Sequence, residues 1–144
     1  GSDSENLPGF IVLDNGLSPP GGLDCFGAGF LPASYQATLL RRGTQPVADL
    51  DRREPTDAAQ QAKLKLLGKL NQGVLDRFGQ SSEIEATIRN YEMAYRMQTA
   101  VPELTSLAGE SDTTRRLYGI DDELTAEFGR SCLLARRLVE RGVR

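Results

Sequence analysis

Leu7-Pro8-Gly9-Phe10-Ile11-Val12-Leu13-Asp14-Asn15-Gly16 is the stretch on which the fold turns. Its apolar residues run on without alternation. The Asp-Asn-Gly triplet that follows is turn chemistry, because Asp and Asn bond their own backbone and Gly accepts positive φ. A continuous apolar run of this length predicts a strand over residues 7–13 that is buried on both faces, as strands of a parallel sheet are. Such a strand needs neighbours, yet no second strand is obvious in the sequence, so the expected sheet content is one or two short strands.

Downstream, residues 14–55 are rich in Gly and Pro, with Pro19-Pro20-Gly21-Gly22 and Gly27-Ala28-Gly29, and hold neither a 3.6 nor a 2.0 periodicity. They read as a long ordered loop. Phe26, Phe30, Leu31, Tyr35, Leu39 and Leu40 give it enough apolar surface to pack against something.

Helical patterning then takes over for residues 56–142. Thr56 is a good N-cap after Pro55, and Leu64, Leu67, Val74 and Phe78 mark one face of a first helix. Ser82 and Glu85 have capping-box spacing for a second helix, with Ile84, Ile88, Tyr91 and Tyr95 in register and Pro102 as its expected end. A short helix over 112–118 should close at Gly119 in the C′ position. The last helix is expected from about Asp122, with Leu124, Phe128, Cys132, Ala135 and Leu138 inward. Arg136, Arg137 and Arg141 complement its C-terminal dipole, and Gly142 ends it. Val143 then looks like the entry to a further strand, as in a βα repeat. The fold class expected is therefore mainly α with a long N-terminal loop, one partial domain spanning residues 1–144 whose sheet is completed by sequence on either side.

Composition narrows the function. The 144 residues are 39% apolar, enough for one modest core. Lys and Arg number 17 against 20 Asp and Glu, interspersed and with a net charge of -3, so there is no basic footprint for nucleic acid. No apolar run is long enough to cross a bilayer, and the N-terminus lacks the charged start and hydrophobic stretch of an export signal. The chain contains no histidine, which removes Ser-His-Asp, Cys-His and histidine-based metal sites together. Cys25 and Cys132 lack a CxxC partner and read as two unpaired thiols. No catalytic residue and no metal ligand set is expected within the chain.

The remaining motifs have plain structural explanations. Gly27-Ala28-Gly29 follows no predicted strand directly and opens no helix, so it lacks the context of a phosphate-binding turn. Glu85 and Glu92 resemble a carboxylate pair, but Arg89 and Arg96 each lie four residues on, the spacing of a solvated ion-pair ladder. Met93 and Met97 beside Tyr91 and Tyr95 are core or interface filling.

Several blocks together resemble a known family. These are residues 7–13, Gly29-Phe30-Leu31-Pro32-Ala33-Ser34-Tyr35-Gln36, Asn90-Tyr91-Glu92-Met93-Ala94-Tyr95-Arg96-Met97-Gln98 and Phe128-Gly129-Arg130-Ser131-Cys132 running on to Val143, with Pro102-Glu103-Leu104 and residues 114–119 between them in order. The chain is similar over nearly its whole length to the central region of bacterial sulfatase-like proteins of the alkaline phosphatase superfamily, the domain of unknown function 1501 family. That resemblance implies an α/β/α parent with a divalent metal held by Asp and His residues before and after this stretch, acting on phosphate or sulfate esters, and a periplasmic or exported location. It implies no cofactor in this chain itself. On this view residues 27–36 lie beside the substrate, with Phe30, Ser34, Tyr35 and Gln36 the candidate substrate-proximal residues.

Two functions follow. In the first the chain is part of a sulfatase-like, metal-dependent hydrolase, inactive by itself, whose partner is the rest of the parent domain or a second copy through an exposed strand. In the second it is an autonomous helical protein-interaction module that uses the Tyr91, Tyr95, Met97 face or the Pro-rich loop.

Overall fold

The computed structural model describes residues 2–14, 16, 19–32, 35–43, 46–48, 50–79 and 81–143, with the backbone alone for Leu23, Phe78 and Ser82. The chain is mainly helical with a small parallel sheet: β1 (Ile11–Leu13), a 3-10 turn (Gly22–Phe26), β2 (Thr38–Leu40), α1 (Asp57–Phe78), α2 (Ser82–Thr105), α3 (Asp112–Leu117) and α4 (Ala126–Glu140).

The strand expected over 7–13 is shorter, and it has a partner. β2 pairs with β1 in parallel, Ile11 opposite Thr38, Val12 opposite Leu39 and Leu13 opposite Leu40. Three ladder residues limit β1 to the same three, so Leu7 contributes to the core from a bend and Phe10 is 43% exposed. β2 escaped the sequence reading because three residues are too few to show a period, and its partner lies far upstream. The expected turn after β1 is present in part: the Gly16 N–H donates to Asp14 Oδ1 at 2.7 Å, while Asn15 lies outside the described residues.

Caps fix the helices. Thr56 Oγ1 accepts from the Ala59 N–H at 3.1 Å to start α1. At the start of α2 the N-cap is Ser81 rather than Ser82, and its side chain makes no capping bond. α2 also runs through Pro102 to Thr105 instead of ending there. A proline inside a helix removes one ladder bond, but Val101 at 1% and Leu104 at 0% exposure anchor this turn in the core. α3 and α4 both end in Schellman motifs on the predicted glycines. Gly119 has φ +62 with the Ile120 N–H on the Arg115 carbonyl, and Gly142 has φ +85 with the Val143 N–H on the Leu138 carbonyl.

Along α1 the half-buried row is Leu64, Leu67, Asn71 and Leu75, whereas Val74 turns outward and the Phe78 side chain lies outside the described residues. The facing of α4 differs more. It begins at Ala126, Leu124 is 94% and Phe128 74% exposed, and the buried residues are Gly129, Leu133, Arg137 and Leu138. The cause is a close approach: a Cβ on Gly129 would collide with the Tyr118 carbonyl oxygen, so α4 turns its glycine edge toward the end of α3. Residues 121–125 form turns instead, tied by Thr125 Oγ1 donating to the Gly119 carbonyl at 2.8 Å.

One core holds these elements together: Leu7, Leu40, Met97, Val101, Leu104, Leu138 and Val143 are all buried in it. Val143, expected to enter a strand, is thus the apolar residue that closes the α4 cap. The N-terminal segment lies beside that cap, with the Asp3 N–H donating to the Gly142 carbonyl at 2.8 Å.

Candidate functional site

In open α/β sheets ligands sit outside the carboxyl ends of parallel strands. Here β1 leaves its sheet at Asp14 and β2 at Arg41 and Arg42, and the two exits open into a cavity of about 540 Å³. Its floor is aliphatic, from Leu13, Val47, Leu50, Leu107 and Leu134, all half-buried. The C-terminal end of α2 forms one wall and the Glu127, Arg130, Ser131 face of α4 another.

The charges around the mouth are unequal in their commitments. Arg42 is engaged, its Nε donating to the Asp14 carbonyl at 3.1 Å and its Nη1 to Glu127 Oε2 at 2.5 Å. Arg137 is turned inward and bonded to Glu110 and to the carbonyls of Leu104 and Ser106. It therefore terminates α2 rather than compensating the dipole of its own helix. Only Arg141, whose Nη1 reaches the Arg137 carbonyl at 3.3 Å, does the latter, while Arg136 pairs with Glu140 at 2.7 Å. Arg41, Arg130 and Asp51 at the same mouth are exposed or half-exposed and have no side-chain hydrogen bond or ion pair among the described residues.

Phe30, Tyr35 and Gln36 lie elsewhere. Phe30 is 98% and Tyr35 58% exposed on the loop, Gln36 is exposed, and none of the three lines the cavity. Ser34 lies outside the described residues. The loop's apolar side chains are thus split: Leu40 is buried, Phe26 and Leu39 are half-buried, and Phe30, Leu31 and Tyr35 face outward. Arg41 and Arg130 were missed as site residues, although two arginines directly after Leu39-Leu40 are the one local signal of a charged strand exit.

The paired glutamates of α2 resolve as their spacing predicts. Glu85 meets Arg89 and Glu92 meets Arg96, each at 3.6 Å, as a helical ion-pair ladder. Cys25 and Cys132 are both free thiols. Among the described residues no three acidic or cysteine side chains are gathered to hold a metal, and no helix is long and apolar enough to cross a membrane.

No curated protein and no solved structure matches the chain. The model of a family described as protein of unknown function (DUF1501) matches residues 1–144, and the chain belongs to that family.

Proposed function

We propose that this chain is part of a sulfatase-like, metal-dependent hydrolase of the alkaline phosphatase superfamily, with the cavity at the strand exits forming a wall of its substrate site. The observation that carries this reading is the parallel pairing of β1 with β2. Parallel strands occur almost only in α/β sheets covered by helices on both faces, and their carboxyl ends are where such proteins bind ligands. The resemblance of the four sequence blocks to sulfatase-like proteins supplies the reaction class.

Among the described residues the carboxylates at this cavity form no ligand set: Glu127 pairs with Arg42, Asp14 accepts from the Gly16 N–H, and Asp51 stands apart from both pairings. On this reading the divalent metal is held by residues outside this chain, and the part played here is to bind and orient the substrate. Phe30, Ser34, Tyr35 and Gln36 remain proposed substrate neighbours, reached from the exposed loop.

The test is hydrolysis of p-nitrophenyl phosphate and p-nitrophenyl sulfate by two proteins, this chain and one extended by its flanking coding sequence. The extended protein should be active and lose activity to a chelator, and the 144-residue chain should be inert. Turnover by this chain after thorough metal removal overturns the proposal, as does an inert extended protein supplied with divalent metals.

A second reading, a helical protein-interaction module without enzymatic activity, is favoured by one feature. Leu66, Leu70 and Val74 repeat every four residues along α1 and are 58%, 58% and 39% exposed. The Tyr91, Tyr95, Met97 face is less available: Met97 is in the core, and the Tyr95 hydroxyl donates to Asp57 Oδ1 at 3.1 Å. Leu66→Glu with Leu70→Glu should then abolish capture of a partner and leave the melting curve unchanged.

A further inference from the structure

We propose that the cleft between the start of α1 and the C-terminal half of α2 binds an aliphatic diamine, a short chain with an ammonium group at each end. The cleft is a second cavity, of about 700 Å³, which shares only Leu50, Asp51 and Pro102 with the one at the strand exits. Its size is that of a small-molecule site. Asp57 and Gln60 line it from α1, one helical turn apart, and Tyr95 and Glu103 line it from α2.

The sign of the ligand follows from the charges. Glu54 is spent on Lys63, and Arg96 on Glu92. Asp57 accepts only from neutral donors, Gln61 Nε2 at 2.8 Å and the Tyr95 hydroxyl at 3.1 Å, so it keeps its charge. The positive end of the α1 dipole offsets about half of that one charge. Asp51, Glu103 and Arg52 have no side-chain hydrogen bond or ion pair among the described residues. Three carboxylates thus face one guanidinium, and the cleft selects a cation. Those carboxylates are not gathered to hold a metal ion, whereas a chain charged at both ends can reach carboxylates on separate elements.

Gln60 adds the demand for N–H donors. It is 8% exposed, and its Oε1 is buried without a partner among the described residues. Its amide nitrogen has no hydrogen bond there either, so a half-turn about Cγ–Cδ, which exchanges oxygen and nitrogen, breaks nothing. A buried acceptor left without a donor calls for an explanation, and an ammonium N–H in the cleft supplies the missing donor.

The probe is 1,4-diaminobutane, titrated into the isotopically labelled chain at low ionic strength, where screening is least, while amide shifts are followed. Saturable shifts are expected at residues 51–54, 57–60 and 95–103. Butylamine, with one charge, should bind at least about tenfold more weakly. The fully methylated diamine, which keeps both charges and has no N–H, and magnesium ion should be weakened to the same degree. Gln60→Met should weaken the diamine about tenfold while stabilising the free chain, a split that a purely structural glutamine would not produce. Glu103→Gln should weaken it too, and Arg52→Gln should tighten it. The Glu103 and Arg52 side chains are exposed, and melting temperatures report that these variants fold. Methylated diamine or magnesium binding as tightly as the diamine, unchanged affinity in Gln60→Met, or shifts confined to the cavity at the strand exits would overturn the proposal. The chelator test of the hydrolase reading is independent of all these outcomes.

Discussion

Arg137 on α4 reaches Glu110, between α2 and α3, placing Nη2 at 2.5 Å and Nε at 2.9 Å from the same carboxylate oxygen. Its Nη1 also donates to the carbonyls of Leu104 at 2.7 Å and Ser106 at 2.6 Å. One guanidinium thus satisfies two carbonyls at the C-terminal end of α2 that the helix itself leaves without amide partners. Both side chains are largely buried, at 10% and 16% exposure.

Removing that arginine should be among the costliest single changes in the molecule. Arg137→Met fills similar space but strands Glu110 and the two carbonyls, so a loss of about 3 kcal/mol in urea unfolding is expected. Glu110→Gln, which keeps an acceptor, should cost less. A loss under about 1 kcal/mol for Arg137→Met would mean that the α2 terminus finds other partners.

Glycines in two helices predict opposite signs. Gly129→Ala pushes a methyl group into the Tyr118 carbonyl, a backbone atom that cannot move aside alone, and should destabilise by about 2–3 kcal/mol. Gly68 and Gly73 on α1 have nothing within 4 Å of an added Cβ. Alanine at either should stabilise by about 0.5–1 kcal/mol through lower backbone entropy in the unfolded chain. Thermal melts of the three variants check the contrast, and a neutral Gly129→Ala would show that α4 is not seated against Tyr118.

The same residues show what a sequence can and cannot disclose. Thr56, Gly119 and Gly142 were legible because each acts on its own backbone within a few residues, and local chemistry carries its own signature. β2, the facing of α4 and the task of Arg137 were not, since each depends on a partner far along the chain. Thr38-Leu39-Leu40 becomes a strand only because β1 lies beside it. Helical periodicity also allows Leu124 and Phe128 to face inward as readily as Gly129 and Leu133, and a small residue meeting a backbone carbonyl decided between them. The cavity shares this limitation: Arg41 and Arg130 are distant in sequence, and only the parallel pairing and the seating of α4 put them at one mouth.

Gln60 carries an internal cost. The residue is 8% exposed, and its Oε1 has no hydrogen-bond partner among the described residues. An unsatisfied buried oxygen forfeits its hydration, so a near-isosteric apolar replacement removes a penalty without opening a cavity. Gln60→Met should raise stability by about 1 kcal/mol in chemical denaturation. A drop of similar size would show instead that an ordered water bonds this oxygen in solution.

Glu54 gives the last prediction, a pH dependence. Lys63 Nζ lies 2.5 Å from Glu54 Oε1, and the hydrogen bond from Lys63 holds the carboxyl below the ordinary glutamate range. A group whose folded pKa is depressed adds stability that is fully present above its unfolded pKa, about 4.3, and is lost as pH falls through the folded value. Lys63→Met removes the largest cause of the depression and leaves the smaller one from backbone N–H groups, so the carboxyl titrates closer to its ordinary range. Denaturation curves of the two proteins should therefore differ by a constant amount at neutral pH and converge as the pH drops below about 4. The Glu54→Gln variant should show no such convergence with its own Lys63→Met double variant, because neither then carries a carboxyl to titrate. A difference between wild type and Lys63→Met that stays constant down to pH 3 would place the stabilising role of Lys63 elsewhere than on Glu54.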